Sequence, residues 1–115
     1  MDSAPRWPLE RVKALASAGA VWVRRTRARV FFAGNAEAVR AVTRAIAALT
    51  DDDFAATATL ADKTAADVYG VLIDGAGWYL KLWIDEEGPD GAEVDVISFH
   101  PLEHPLRTRK GMVSP

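Results

Sequence analysis

The segment from Asp67 to Thr108, DVYGVLIDGAGWYLKLWIDEEGPDGAEVDVISFHPLEHPLRT, restricts the fold more than any other part of the chain. Asp67 to Ile73 alternates and is rich in Val, Ile and Tyr. Asp74-Gly75-Ala76-Gly77 supplies a turn, and Trp78 to Ile84 alternates again, so the two runs read as a β-hairpin. The acidic, glycine- and proline-bearing stretch Asp85 to Ala92 reads as a loop into a third strand, Glu93 to Phe99. Pro101 is expected to end that strand, because it lacks an N–H and restricts His100. The expectation is an antiparallel meander.

A period of two sorts the middle strand onto two faces. Trp78, Leu80, Leu82 and Ile84 point one way and form a core face; Tyr79, Lys81 and Trp83 point the other. A phenol, an ammonium and an indole on one face suit phosphate contact and base stacking. An ordinary solvated sheet face can have the same composition, since Tyr and Trp are good strand formers.

The chain before the meander reads as helical. Between Pro8 and Ala18 the apolar positions Leu9, Val12, Leu15 and Ala16 fall at helical spacing, with Pro8 near the first turn and Gly19 just past the end. Asn35 reads as the N-cap of a second helix, in which Val39, Val42, Ile46 and Leu49 recur at helical intervals and Glu37 favours the first turn. Thr50 and Asp53 have capping-box spacing at the head of a further turn. Consecutive side chains on such a turn diverge, so Asp51, Asp52 and Asp53 are read as helix-dipole partners rather than metal ligands. Phe54 is the expected core anchor there, and Ala55 to Ala66 reads as a small-residue connection. The expected organisation is a flexible tail over residues 1–7, one domain over 8–106, and a basic C-terminal tail over 107–115. The fold class is α+β, a small domain with the meander packed against two or three N-terminal helices.

Between the helices, Val21-Trp22-Val23 suggests a short strand, followed by Arg24, Arg25, Arg27 and Arg29. That density of guanidinium groups suits a phosphate backbone or an acidic partner, and equally a solvated edge. The net charge of −2 conceals a division: residues 1–50 hold nine Lys/Arg against three Asp/Glu, and residues 51–115 hold five against thirteen. A polyanion partner for the basic part is one reading of that asymmetry. With no cysteine, neither disulfides nor thiolate metal sites enter. No apolar run reaches the length of a membrane span or of a signal-peptide core, so the expected location is the cytoplasm, without a membrane partner.

Several short motifs, in order, resemble the MqsR-type toxins, the motility quorum-sensing regulator family of bacterial type II toxin–antitoxin systems. They are Leu9, Val12, Lys13, Leu15 and Gly19; Leu49 to Phe54, ending in Asp-Phe; Asp67-Val68-Tyr69; Tyr79-Leu80-Lys81-Leu82; and Ile97-Ser98-Phe99. His100 to Thr108 resembles the ending of a divergent branch of the family. The resemblance implies a RelE/barnase-like fold and a metal-independent endoribonuclease that cleaves mRNA, an mRNA interferase. It also implies a cognate antitoxin protein as partner and no cofactor; the sequence leaves the oligomeric state open, a homodimer included.

In cleavage of this kind the RNA's own 2′-hydroxyl attacks phosphorus, so the protein supplies a base, an acid and cations. The family's tyrosine and lysine are matched by Tyr79 and Lys81. Ala56 and Ala66 stand where better-known members have a lysine and a glutamine, and His100 stands where they have a lysine. Imidazole titrates near neutrality, so His100 can take the proton-transfer role, with Arg107 or an arginine from 24 to 29 supplying a cation. The expected catalytic residues are therefore Tyr79, Lys81, His100 and Arg107, and the expected RNA contacts Arg24, Arg25, Arg27, Arg29 and Trp83. The same departures allow a second reading, a homologue that binds RNA or a partner protein through this face without turnover. A zinc reading of His100, Glu103 and His104 is disfavoured by Pro101 and Pro105, which oppose a helix that would align the histidines.

Overall fold

Residues 4–23 and 31–115 are described by the computed structural model. Within them lie helices α1 (Leu9–Ser17) and α2 (Asn35–Ala47) and strands β1 (Val21–Val23), β2 (Phe54–Thr59), β3 (Ala65–Ile73), β4 (Ala76–Asp85), β5 (Glu93–Pro101), β6 (Leu106–Thr108) and β7 (Gly111–Val113). Five strands form one sheet in the order β1-β5-β4-β3-β2, and β6 pairs with β7 alone. From β2 to β5 the strands form an antiparallel meander; β1 is parallel to β5. The architecture is α+β. Among the described residues no helix is long and apolar enough to cross a membrane.

The helices bury the stripes that their spacing predicts. Val12 and Ala16 of α1 and Ala38, Val42 and Ile46 of α2 are buried. Gly19 closes α1 with φ +82, a left-handed conformation that favours glycine. The second helix starts at Asn35 itself, with Gly34 at the N-cap position rather than Asn35. Glu37 reaches back instead, accepting the Ala33 N–H at 3.2 Å. Both helices cover one face of the sheet, where Phe54, Tyr69, Leu80, Leu82, Ile84, Val94, Val96 and Phe99 complete the core. At roughly 1.5–3 kcal/mol for each large apolar side chain removed from water, this face supplies most of the driving force.

The meander has four strands rather than three, because Phe54–Thr59 pairs with β3, so Ala55 to Thr59 of the expected connection form a strand behind the Phe54 anchor. Its alanines carry little strand propensity, but Phe54 opposite Tyr69 anchors it in the core, and tertiary packing outweighs propensity. The turn between β3 and β4 is only Asp74-Gly75, both with positive φ (52 and 82), as a two-residue hairpin turn requires. Strand β5 continues through His100 to Pro101. Leu102 N–H donates to Gly77 O at 2.9 Å, so Pro101, opposite Trp78, occupies a position whose N–H points away from β4. Its missing donor costs the ladder nothing.

One irregularity sets the faces of β5. Ser98 pairs with Lys81 but Val96 pairs with Leu82, leaving Ile97 as an extra residue, a β-bulge. Strict alternation would put His100 on the side of Val94 and Val96, inside the core. The bulge changes the phase, so Val94, Val96 and Phe99 share the core face while Asp95, Ser98 and His100 share the other.

The segment before α1, from Arg6, and the C-terminal segment both fold onto the sheet. Residues 106–113, all but the first in the expected basic C-terminal tail, form the β6–β7 hairpin, laid over the face away from the helices. A Cβ on Gly70 would meet Thr108, Leu106 and Val113 side chains at 3.0, 3.2 and 3.3 Å. Gly77 is tighter still, with Ser114 O at 2.2 Å from such a Cβ. The hairpin turn is held by Arg109 N–H to Phe54 O, Lys110 N–H to Asp52 O, and a Lys110–Asp53 ion pair of 2.8 Å. At the other end, fully buried Asp67 accepts the backbone N–H groups of Arg6 (2.9 Å) and Trp7 (2.8 Å) and the Thr57 hydroxyl (2.7 Å).

Candidate functional site

The bulge brings together three of the four residues expected in catalysis. Tyr79 and His100 are direct cross-strand partners, with rings stacked at 5.2 Å between centroids and 13° between planes. Lys81, two residues along the same face, places Nζ 5.8 Å from the Tyr79 ring centroid. All three are partly exposed. Gly70, Tyr79 and His100 form one row across the sheet, and the β6–β7 hairpin over Gly70 forms a wall beside the phenol.

Each group has a distinct state. Burial pushes the Tyr79 phenol pKa upward, so the hydroxyl stays protonated at neutral pH and serves as a hydrogen-bond donor rather than a base. His100 Nδ1 lies 2.8 Å from Pro101 O. A carbonyl only accepts, so Nδ1 carries the hydrogen in this contact and Nε2 is the ring nitrogen that it leaves unused. Lys81 provides a cation beside both. An imidazole, a phenol and an ammonium on adjacent positions are groups that the expected phosphodiester chemistry draws on.

The next row is Ala56–Val68–Lys81–Ser98. Ala56, where the family resemblance expects a lysine, therefore lies on the same face as Lys81, two strands away, and leaves that position without a charge. Ser98, opposite Lys81 and partly exposed, enters the sequence reading only within Ile97-Ser98-Phe99 and without a role; its placement depends on the bulge. Farther along, Trp83 donates its indole N–H to Asp95 at 2.8 Å and stands 6.3 Å from Trp7, centroid to centroid.

Other expected residues lie elsewhere. Arg107 is exposed on β6 between Leu106 and Thr108, whose side chains turn toward Gly70, so alternation sends Arg107 outward from the hairpin with Met112 opposite. The structure does not bring it to Tyr79, Lys81 or His100. Arg24, Arg25, Arg27 and Arg29 lie outside the described residues. Asp53 accepts the Thr50 N–H at 2.9 Å and pairs with Lys110, as a capping residue should. Among the described residues no three His, Asp or Glu converge as a metal-binding group, and His104 is exposed. The acidic loop after β4 meets α1 through an exposed Arg11–Glu86 ion pair. An apolar groove of about 350 Å³, lined by Phe32, Ala41, Ala45, Leu72 and Trp78, sits on the helix-bearing side, away from the cluster.

Compared with known proteins, the chain matches no family model, no curated protein and no solved structure.

Proposed function

We propose that this protein is an endoribonuclease of the toxin type, cleaving mRNA without a metal ion at the Tyr79, Lys81 and His100 cluster. The observation that carries the reading is the convergence of these three side chains on one partly exposed face, by cross-strand pairing and stacking. His100 Nε2 accepts the 2′-hydroxyl proton. The 2′-oxygen then forms its bond to phosphorus as the bond to the 5′-oxygen breaks; the departing oxygen takes a proton from water while the proton on His100 passes to solvent, leaving a 2′,3′-cyclic phosphate and a 5′-hydroxyl. Lys81 offsets the charge building on the phosphate, and the Tyr79 hydroxyl donates to a phosphate oxygen. A cytoplasmic location and neutralisation by an antitoxin protein belong to the same reading.

Ala56 supports a second reading, because the row that holds Lys81 lacks the further cation that the family resemblance leads one to expect. In that case the face binds RNA or a partner protein without turnover. Purified protein incubated with a defined mRNA in EDTA, with end mapping, separates the two. Cleavage that leaves 5′-hydroxyl ends and is lost in His100→Ala is the expected result. Salt-sensitive binding without new ends, both alone and with ribosomes, would replace the nuclease by the binding homologue. Cleavage unchanged in both His100→Ala and Tyr79→Phe would remove the assigned site.

A further inference from the structure

We infer that Trp7 and Trp83, with Arg6, form a stacking subsite for one base of single-stranded RNA, next to the nucleotide held at Lys81. The inference rests on the RNA reading above and adds to it a subsite built partly from the segment ahead of α1. Trp83 continues the strip of Tyr79 and Lys81 and lies two strand residues, about 7 Å, beyond Lys81. Trp7 arrives from the other end of the sequence and stands against it at 6.3 Å, with the rings tilted by 56°. The Arg6 guanidinium lies 4.3 Å from the Trp7 ring centroid.

Both rings are held in place before any ligand arrives. Trp83 Nε1 donates to Asp95 and Trp7 Nε1 donates to Ala65 O at 3.0 Å, so neither indole needs a polar partner from a ligand. What remains on offer is aromatic surface and one guanidinium, the chemistry that stacks bases irrespective of sequence. The segment is anchored twice, by packing of Trp7 against the core and by the buried Asp67 side chain, which accepts both the Arg6 and the Trp7 N–H. Local charge selects a base over a phosphate. After Trp83 the same face continues with Asp85, whose cross-strand partner is Glu93, so a phosphate following the strip past Trp83 would meet carboxylates. The backbone must leave the sheet there, and a flanking base can remain.

The test uses the wild-type chain and a short RNA with 2′-O-methyl riboses, which has no 2′-hydroxyl to attack, in EDTA at low salt. Its bases are removed one position at a time, and affinity is measured for wild type, Trp7→Phe and Trp7→Leu. The expected result is one position at which base removal weakens wild-type binding about 10- to 100-fold. That penalty persists largely in Trp7→Phe and falls below about twofold in Trp7→Leu. Because each protein is its own reference, a general loss of stability does not produce this pattern. Binding that depends on Lys81 but shows no position sensitive to Trp7→Leu would overturn the subsite and leave the RNA reading intact. No binding by any protein would overturn both.

Discussion

Deleting Ile97 tests the bulge on which the cluster depends. A one-residue deletion inside a strand normally reverses every side chain beyond it. Here the deleted residue is the extra one, so closing the gap leaves Val96 opposite Leu82 and Ser98 opposite Lys81, as they are now. Val94, Val96 and Phe99, between 0% and 1% exposed, remain in the core, and His100 remains on Tyr79. The loss is then confined to one buried side chain, since Ile97 is 6% exposed, about 1.5–3 kcal/mol by burial. Deletion of Gly70 from the regular β3–β4 ladder is the comparison. It would make Tyr69 and Val71 neighbours and force one out of the core, costing about 3–5 kcal/mol or more out of the roughly 5–15 expected for a domain of this size. Urea unfolding gives the two costs. The upfield shift of the His100 ring protons over Tyr79, read by NMR, reports the cluster. The reasoning fails if loss of Ile97 costs as much as loss of Gly70, or if the folded deletion variant lacks that shift.

Three other perturbations follow from the packing. Tyr69 is fully buried, and its hydroxyl has no hydrogen-bond partner among the described residues, so Tyr69→Phe should stabilise the fold by about 1 kcal/mol in urea titrations at pH 7. Burial, then the Asp67 charge, raises the Tyr69 pKa, and burial also raises that of Tyr79. The neutral phenols are favoured in the folded state, so their contribution is complete below the unfolded value near 10 and is lost as pH rises above it. Tyr69→Phe should therefore make the alkaline limb of the stability profile shallower, and an unchanged limb would contradict the cause given. Gly77→Ala places a methyl group against Ser114 O and should cost about 1–3 kcal/mol, with lost amide protection of Gly77; Gly70→Ala, which meets only side-chain methyls, should cost less. Asp67→Asn turns one acceptor oxygen into a donor that faces backbone N–H groups, and should cost about 2–3 kcal/mol while releasing Trp7, seen as a change in tryptophan emission.

Much of the fold could be read from the sequence because local rules and tertiary packing agree. The helical stripes of Val12 and Ala16, and of Val42 and Ile46, point to the core, and the Asp74-Gly75 turn joins the strands expected to pair. The readings that missed share a cause. Phe54–Thr59 has the composition of a connection and becomes a strand only because β3 offers it a partner. Pro101 signals a strand end, yet a position whose N–H faces away from the ladder tolerates it. Arg107 is expected to supply a cation beside His100, but alternation on β6 sends it outward from the β6–β7 hairpin.

The sequence by itself determined that β4 has two chemical faces, because alternation along one strand is local: Leu80, Leu82 and Ile84 inside, Tyr79, Lys81 and Trp83 outside. Which residues of other strands join the outer face is non-local. A slip of one residue in β5 would bury His100 and expose Phe99, and the competition is decided by the fit of Phe99 against Phe32 and Trp78 at 5.7 and 4.9 Å. The chain keeps that fit by bulging at Ile97. The same tertiary packing lays the C-terminal hairpin over Gly70 and draws Arg6 and Trp7 to Asp67, about sixty residues away in sequence. Alternation could therefore place Tyr79 and Lys81 together, while His100 and Ser98 join that face, and Trp7 comes to Trp83, only through the packing of the whole chain.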